Sequence, residues 1–141
     1  MNPSWWSPLD NSTIIWVVED DISTQRIIAE HLKAQGFRPV LFDTAEKAYA
    51  ALRSQGPPAL MILDILLPGM SGVDLIRLIK QNKVWEKIPV VVVTVLSRDE
   101  SLASEPGGQA AFWVNKPFDA QNLVQTVQKV LASVGQEGRL P

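Results

Sequence analysis

Three runs of apolar, mostly β-branched residues stop abruptly at a chemically useful side chain, and a shorter fourth run does so one residue later. Ile14-Ile15-Trp16-Val17-Val18 is followed by Glu19-Asp20-Asp21, Leu60-Met61-Ile62-Leu63 by Asp64, and Val90-Val91-Val92-Val93 by Thr94. Phe112-Trp113-Val114 leads past Asn115 to Lys116-Pro117. Runs this short and this uniformly apolar suit strands covered on both faces, as in a parallel sheet. Parallel strands bring their carboxyl ends to one edge, where open α/β folds bind ligands. The pattern therefore points to an α/β fold that gathers carboxylates, a hydroxyl and an ammonium in one place.

Helical spacing fills the intervals. Predicted strands cover 14–18, 38–42, 59–63, 88–93 and 110–114, the second less uniformly apolar and so nearer an edge. Over 22–35, Ile27, Ile28 and Leu32 recur at helical spacing and Gly36 supplies a stop. Thr44 caps a helix whose inner face is Ala45, Ala48, Tyr49 and Leu52, ended by Gly56-Pro57-Pro58. Val73, Leu75, Ile76, Leu78 and Ile79 make the apolar stripe of a helix over 73–81. Asp119 caps a last helix that faces inward through Leu123, Val124, Val127, Val130 and Leu131. Only 97–104 resists the pattern, because Pro106-Gly107-Gly108 must cut a helix there short. Five strands alternating with helices through short turns imply a doubly wound parallel sheet with helices on both faces. The domain so defined is 13–134, with an N-terminal tail over 1–12 and a C-terminal tail or linker start over 135–141. The Trp5-Trp6 pair reads as part of a leader, or as an aromatic anchor for a partner or dimer mate.

The totals exclude several classes. A 141-residue chain with 46% hydrophobic and 20% charged residues suits one soluble domain. A net charge of -2 leaves no footprint for nucleic acid or an anionic membrane. There is no cysteine, hence no disulfide, thiolate metal site or cysteine nucleophile. No apolar stretch is long enough to cross a bilayer, and the N-terminus lacks a secretory signal, so a cytoplasmic location is expected.

The strand ends carry the chemistry. An aspartate after a strand is ordinarily a turn or capping residue, but the next helix starts near Gly72, too far for Asp64 to cap it. Asp21 reads as the cap of the first helix. Glu19, Asp20 and Asp64 at one sheet edge repel unless a cation joins them, and an all-oxygen cluster with open positions suits Mg²⁺. Lys116 is the counter-charge, able to neutralise Asp64 and then to hold an added phosphate. Thr94 places a hydroxyl where a fifth valine would pack as well. His31, midway along the first helix, reads as a surface or half-buried helix residue rather than a ligand.

At these residues the chain resembles the receiver domain of two-component response regulators, over about residues 13–134. The match comprises Val17-Val18-Glu19-Asp20-Asp21, Leu63-Asp64 through Leu67-Pro68-Gly69-Met70-Ser71-Gly72, Val92-Val93-Thr94 and Lys116-Pro117-Phe118. The resemblance implies a flavodoxin-like, CheY-like sheet of order 2-1-3-4-5. It implies that Asp64 accepts a phosphoryl group from the phosphohistidine of a sensor histidine kinase or histidine phosphotransfer protein, a phosphoacceptor signalling domain rather than an enzyme. Glu19, Asp20, Asp64 and the backbone carbonyl of Leu66 would hold Mg²⁺, and Lys116 and Thr94 would contact the phosphoryl oxygens. A cis peptide between Lys116 and Pro117 is implied, as is a switch in which Thr94 moves inward and Trp113 fills the vacated space. The output surface would be the fourth helix, fifth strand and fifth helix, with the output partner unspecified and homodimerisation open.

Some residues depart from the family. Trp113 stands where tyrosine or phenylalanine is usual, and reads equally as a switch or as a core residue. Val95 replaces a very small side chain and would narrow access to Asp64. Gln109 and Gly107-Gly108 imply a short or irregular fourth helix. Leu66 and Leu96 cannot orient a water, so slow loss of the phosphoryl group is expected. The alternative is a receiver-shaped interaction module with vestigial phosphorylation. An aspartyl phosphohydrolase would want an acid where Leu66 stands, and a flavin-binding protein would want a phosphate loop where the chain has three acids.

Overall fold

The computed structural model describes residues 13–96 and 112–137. Its strands are β1 (Ile14–Val18), β2 (Arg38–Phe42), β3 (Leu60–Leu63), β4 (Val90–Thr94) and β5 (Phe112–Asn115). Its helices are α1 (Ile22–Ala34), α2 (Ala45–Gln55), α3 (Gly72–Lys80) and a C-terminal helix (Ala120–Glu137). All strand pairs are parallel and the order is β2-β1-β3-β4-β5, as the doubly wound reading requires. Pro39 lies in β2, an edge strand, where a missing N–H is tolerated.

The alternation of side chains along a strand explains why the apolar runs are continuous. Trp16, Val18, Met61, Leu63, Val90 and Val92 pack on one face with Ala48 and Leu52 of α2 and Leu75, Ile76 and Ile79 of α3. Ile15, Val17, Leu60, Ile62, Val91 and Val93 pack on the other, with Ile28 and Leu32 of α1 and Leu123, Val124, Val127 and Val130 of the C-terminal helix. The four valines of β4 thus serve two cores, and any one-residue slip would exchange them.

Helix starts follow local chemistry. Asp21 accepts from the Thr24 N–H at 2.9 Å, and Thr44 from the Lys47 N–H at 3.1 Å. Ser71 and Asp74 form a reciprocal capping box at α3. The Asp119 carboxylate accepts from Gln121 N–H at 2.8 Å. Several boundaries differ from expectation. Ile27 is 46% exposed, because the buried stripe of α1 runs through Ile28, Ala29 and Leu32. In α2 the innermost residues include Ala51, while Tyr49 is half-buried and packs edge-on against Trp85. β4 starts at Val90 rather than 88, since Ile88 and Pro89 lead into it, and β3 starts at Leu60. The C-terminal helix continues through Glu137, past the expected boundary at 134. The tail over 1–12 with Trp5 and Trp6, the segment 97–104, and Pro106, Gly107, Gly108 and Gln109 lie outside the described residues.

Candidate functional site

The site lies where β1 and β3 adjoin, the point at which strand order reverses. Each ladder is extended one residue past its strand: Glu19 N–H donates to Phe42 O (3.0 Å), Asp64 N–H to Val18 O (3.1 Å) and Lys116 N–H to Thr94 O (2.8 Å). Backbone pairing therefore fixes the chain at Glu19, Asp64 and Lys116 themselves. Gln25 tightens this edge, its amide donating to the carbonyls of Glu19 and Phe42 at 3.2 Å each.

Glu19 and Asp64 are 3% and 6% exposed, while Asp20 is exposed. Carboxylate oxygens of all three lie within 4.8 Å of one another. The Lys116 ammonium joins two of them, donating to Glu19 Oε1 at 2.5 Å and Asp64 Oδ2 at 2.9 Å. The other Asp64 oxygen, Oδ1, accepts from the Leu66 N–H at 3.1 Å, and Glu19 Oε2 accepts from the Asp21 N–H at 3.2 Å. Burial pushes Glu19 up to about 7, against the opposing pull of the Lys116 hydrogen bond. For Lys116, burial works against the charge, but the hydrogen bonds to Glu19 and Asp64 outweigh it and hold the ammonium above its ordinary value. Lys116–Pro117 is a cis peptide.

A profile of the response regulator receiver domain matches residues 15–128. The chain belongs to that family. It is 34% identical over 120 residues to the DNA-binding transcriptional regulator NtrC of Salmonella typhimurium, covering 84% of this chain and 25% of that protein. To the phosphate regulon transcriptional regulatory protein PhoB of Klebsiella pneumoniae it is 31% identical over 120 residues, covering 85% of this chain and 52% of PhoB. The receiver chain thus spans between a quarter and about half the length of these relatives. The chemotaxis protein CheY4 of Vibrio cholerae has the same fold, with a TM-score of 0.76 at 21% identity over 84% of this chain and 98% of that one. The chain is a receiver domain of the two-component response regulators, a family of phosphoacceptor signalling domains that work with histidine kinases and output domains. No described helix is long and apolar enough to cross a membrane.

On the β4–β5 side of the receiver, Thr94 is fully buried and its Oγ1 accepts from the Leu96 N–H at 3.4 Å. Trp113, register partner of Val92, is half-buried against the α2/α3 core. Its indole N–H donates to Leu96 O at 3.2 Å, and the Asn115 amide donates to the same carbonyl at 2.8 Å. Trp113 is therefore both packed and tethered to the turn after Thr94. Leu66 and Val95 are 52% and 62% exposed at the rim, so Val95 turns toward solvent. Asp21 serves α1, as capping requires, and His31 is exposed on α1 with Nδ1 2.9 Å from Ile27 O. Sequence reasoning missed three contacts: Lys116 with Glu19, Asn115 with Leu96, and Glu46 with the loop after Asp64. Only the first had a signal, since two carboxylates beside one lysine compete for it.

Proposed function

We propose that Asp64 is the phosphoacceptor, taking its phosphoryl group from the phosphohistidine of a sensor histidine kinase or a histidine phosphotransfer protein. The observation that supports this reading is charge. Three carboxylates within 4.8 Å face one ammonium, so two negative charges stay uncompensated when all are ionised. A divalent ion offsets that difference, and the all-oxygen donor set fits Mg²⁺. Glu19, Asp20, Asp64 and the Leu66 carbonyl would hold the ion, which when bound neutralises charge on the transferring oxygens.

The chain's own groups supply the rest. An Asp64 carboxylate oxygen attacks phosphorus in line while the P–N bond to the donor imidazole breaks. The nitrogen leaves with the electron pair and takes up a proton, and an acyl phosphate remains. Lys116, already on Asp64 Oδ2, needs only a small shift to reach a phosphoryl oxygen. Thr94 donates its hydroxyl to another oxygen, and Trp113 responds through the Leu96 turn. The chain is consumed once per transfer, a signalling role rather than enzymatic turnover, and the change is read by a partner at the surface that includes β5.

The test is uptake from acetyl phosphate or phosphoramidate, followed by intact mass. One phosphoryl group on the parent, dependent on Mg²⁺ and absent from Asp64→Asn, is expected. No uptake from any donor would overturn the reading and leave a constitutive interaction module.

A further inference from the structure

Glu46, in the first turn of α2, reaches to the loop that follows Asp64. Its Oε2 accepts from the Met70 N–H at 3.1 Å. Beside it Gly69 has φ +73°, and a Cβ at that position would collide with the Glu46 carboxylate. The carboxylate thus lies directly on the turn, held by one N–H and admitted by a missing side chain.

The rest of the loop ties this turn to the acceptor. Leu67 N–H and Gly72 N–H both donate to Ile65 O, at 3.1 and 3.0 Å. Gly72 packs so closely that a Cβ there would lie 2.8 Å from Ile65 Cα. At the inner end Leu66 N–H donates to Asp64 Oδ1. A loop closed on Ile65 and anchored at Met70 has little freedom to withdraw the Leu66 N–H.

We infer that Glu46 is a positioning residue for Asp64, holding the 65–72 loop so that the Leu66 N–H fixes the carboxylate orientation. The inference rests on Asp64 being the phosphoacceptor. The competing role is that of an ordinary first-turn acid, acting through its charge on the α2 dipole.

Three substitutions separate the roles. Glu46→Gln keeps an acceptor oxygen at the same reach and removes the charge. Glu46→Asp keeps the charge and shortens the reach. Glu46→Ala removes both. In metal-free protein, amide exchange at Met70 and Leu66, followed by NMR, is expected to speed up about threefold to tenfold in the Ala and Asp variants, the span of one hydrogen bond. Initial phosphorylation from acetyl phosphate and Mg²⁺ is expected to slow by a similar factor. The Gln variant is expected to stay within about twofold of the parent in both assays. Glutamine behaving like alanine, or an alanine variant with unchanged Leu66 exchange and unchanged rate, would overturn the inference. A parent that takes up no phosphoryl group would overturn the reading of Asp64 instead, a separate outcome because the exchange measurement involves no phosphate.

Discussion

Replacing Lys116 with methionine measures what the ammonium is worth to the metal-free site. The lysine lies 2.5 Å from Glu19 and 2.9 Å from Asp64, and methionine keeps most of the stem's bulk. Were both carboxylates to stay ionised, the loss would be about 3–5 kcal/mol, the penalty for stranding a buried charge. Glu19 has a less costly route. Burial already pushes it to about 7 while Lys116 opposes the rise, so without the ammonium it keeps its proton. A carboxylate raised in the fold stabilises the protein only while protonated. That stability is complete below the unfolded value near 4.5, declines as pH rises, and is gone once pH passes about 7. Between pH 6 and 8 the parent's Glu19 binds, on average, about half a proton more than the unfolded chain, which over two pH units is a fall of about 1.4 kcal/mol. In Lys116→Met the proton stays on through the whole window, and the fall is about 2.7 kcal/mol. The destabilisation caused by the substitution should therefore grow by about 1.3 kcal/mol from pH 6 to 8. Urea unfolding followed by circular dichroism at both pH values reads this directly. A penalty that is constant, or that shrinks as pH rises, would refute the reasoning.

The remaining predictions concern the ion, the loop and the product. Mg²⁺ binding, measured by calorimetry, should release protons near neutral pH and weaken by up to about tenfold per unit below pH 7, because Glu19 must ionise to bind; affinity that is flat with pH would contradict this. Gly72→Ala should cost about 1–3 kcal/mol in urea unfolding, since its methyl group would press on the Asp64 carbonyl and Ile65; near-parent stability would count against the close packing. The acyl phosphate should be long-lived, because Leu66 and Leu96 cannot orient an attacking water, and loss within seconds in a mass-spectrometric time course would contradict that.

Much of this was legible because parallel strands buried on two faces leave an unmistakable trace. Four valines before Thr94 and four apolar residues before Asp64 fixed the elements and the edge where their next residues meet. Glu19, Asp64 and Lys116 stood out because each closely follows an apolar strand, and in the fold they meet at hydrogen-bonding distance, Lys116 reaching Glu19 as well as Asp64. Helix faces were harder. Ile27 fits helical spacing as well as Ile28, and only the sheet's position decides which turns inward. Glu46 and Asn115 left no trace, since a polar side chain bonding a distant backbone group produces no periodicity. Trp113 read equally as a switch or as a core residue, and in the fold its indole packs against the α2/α3 core while its N–H donates to Leu96 O.

The most direct measurement traps the acyl phosphate by borohydride reduction after phosphorylation and maps the modified residue by tandem mass spectrometry. Reduction converts a phosphorylated aspartate to homoserine, and the account predicts homoserine at position 64 and nowhere else. Modification at Glu19, Asp20 or another carboxylate, with position 64 intact, would contradict it.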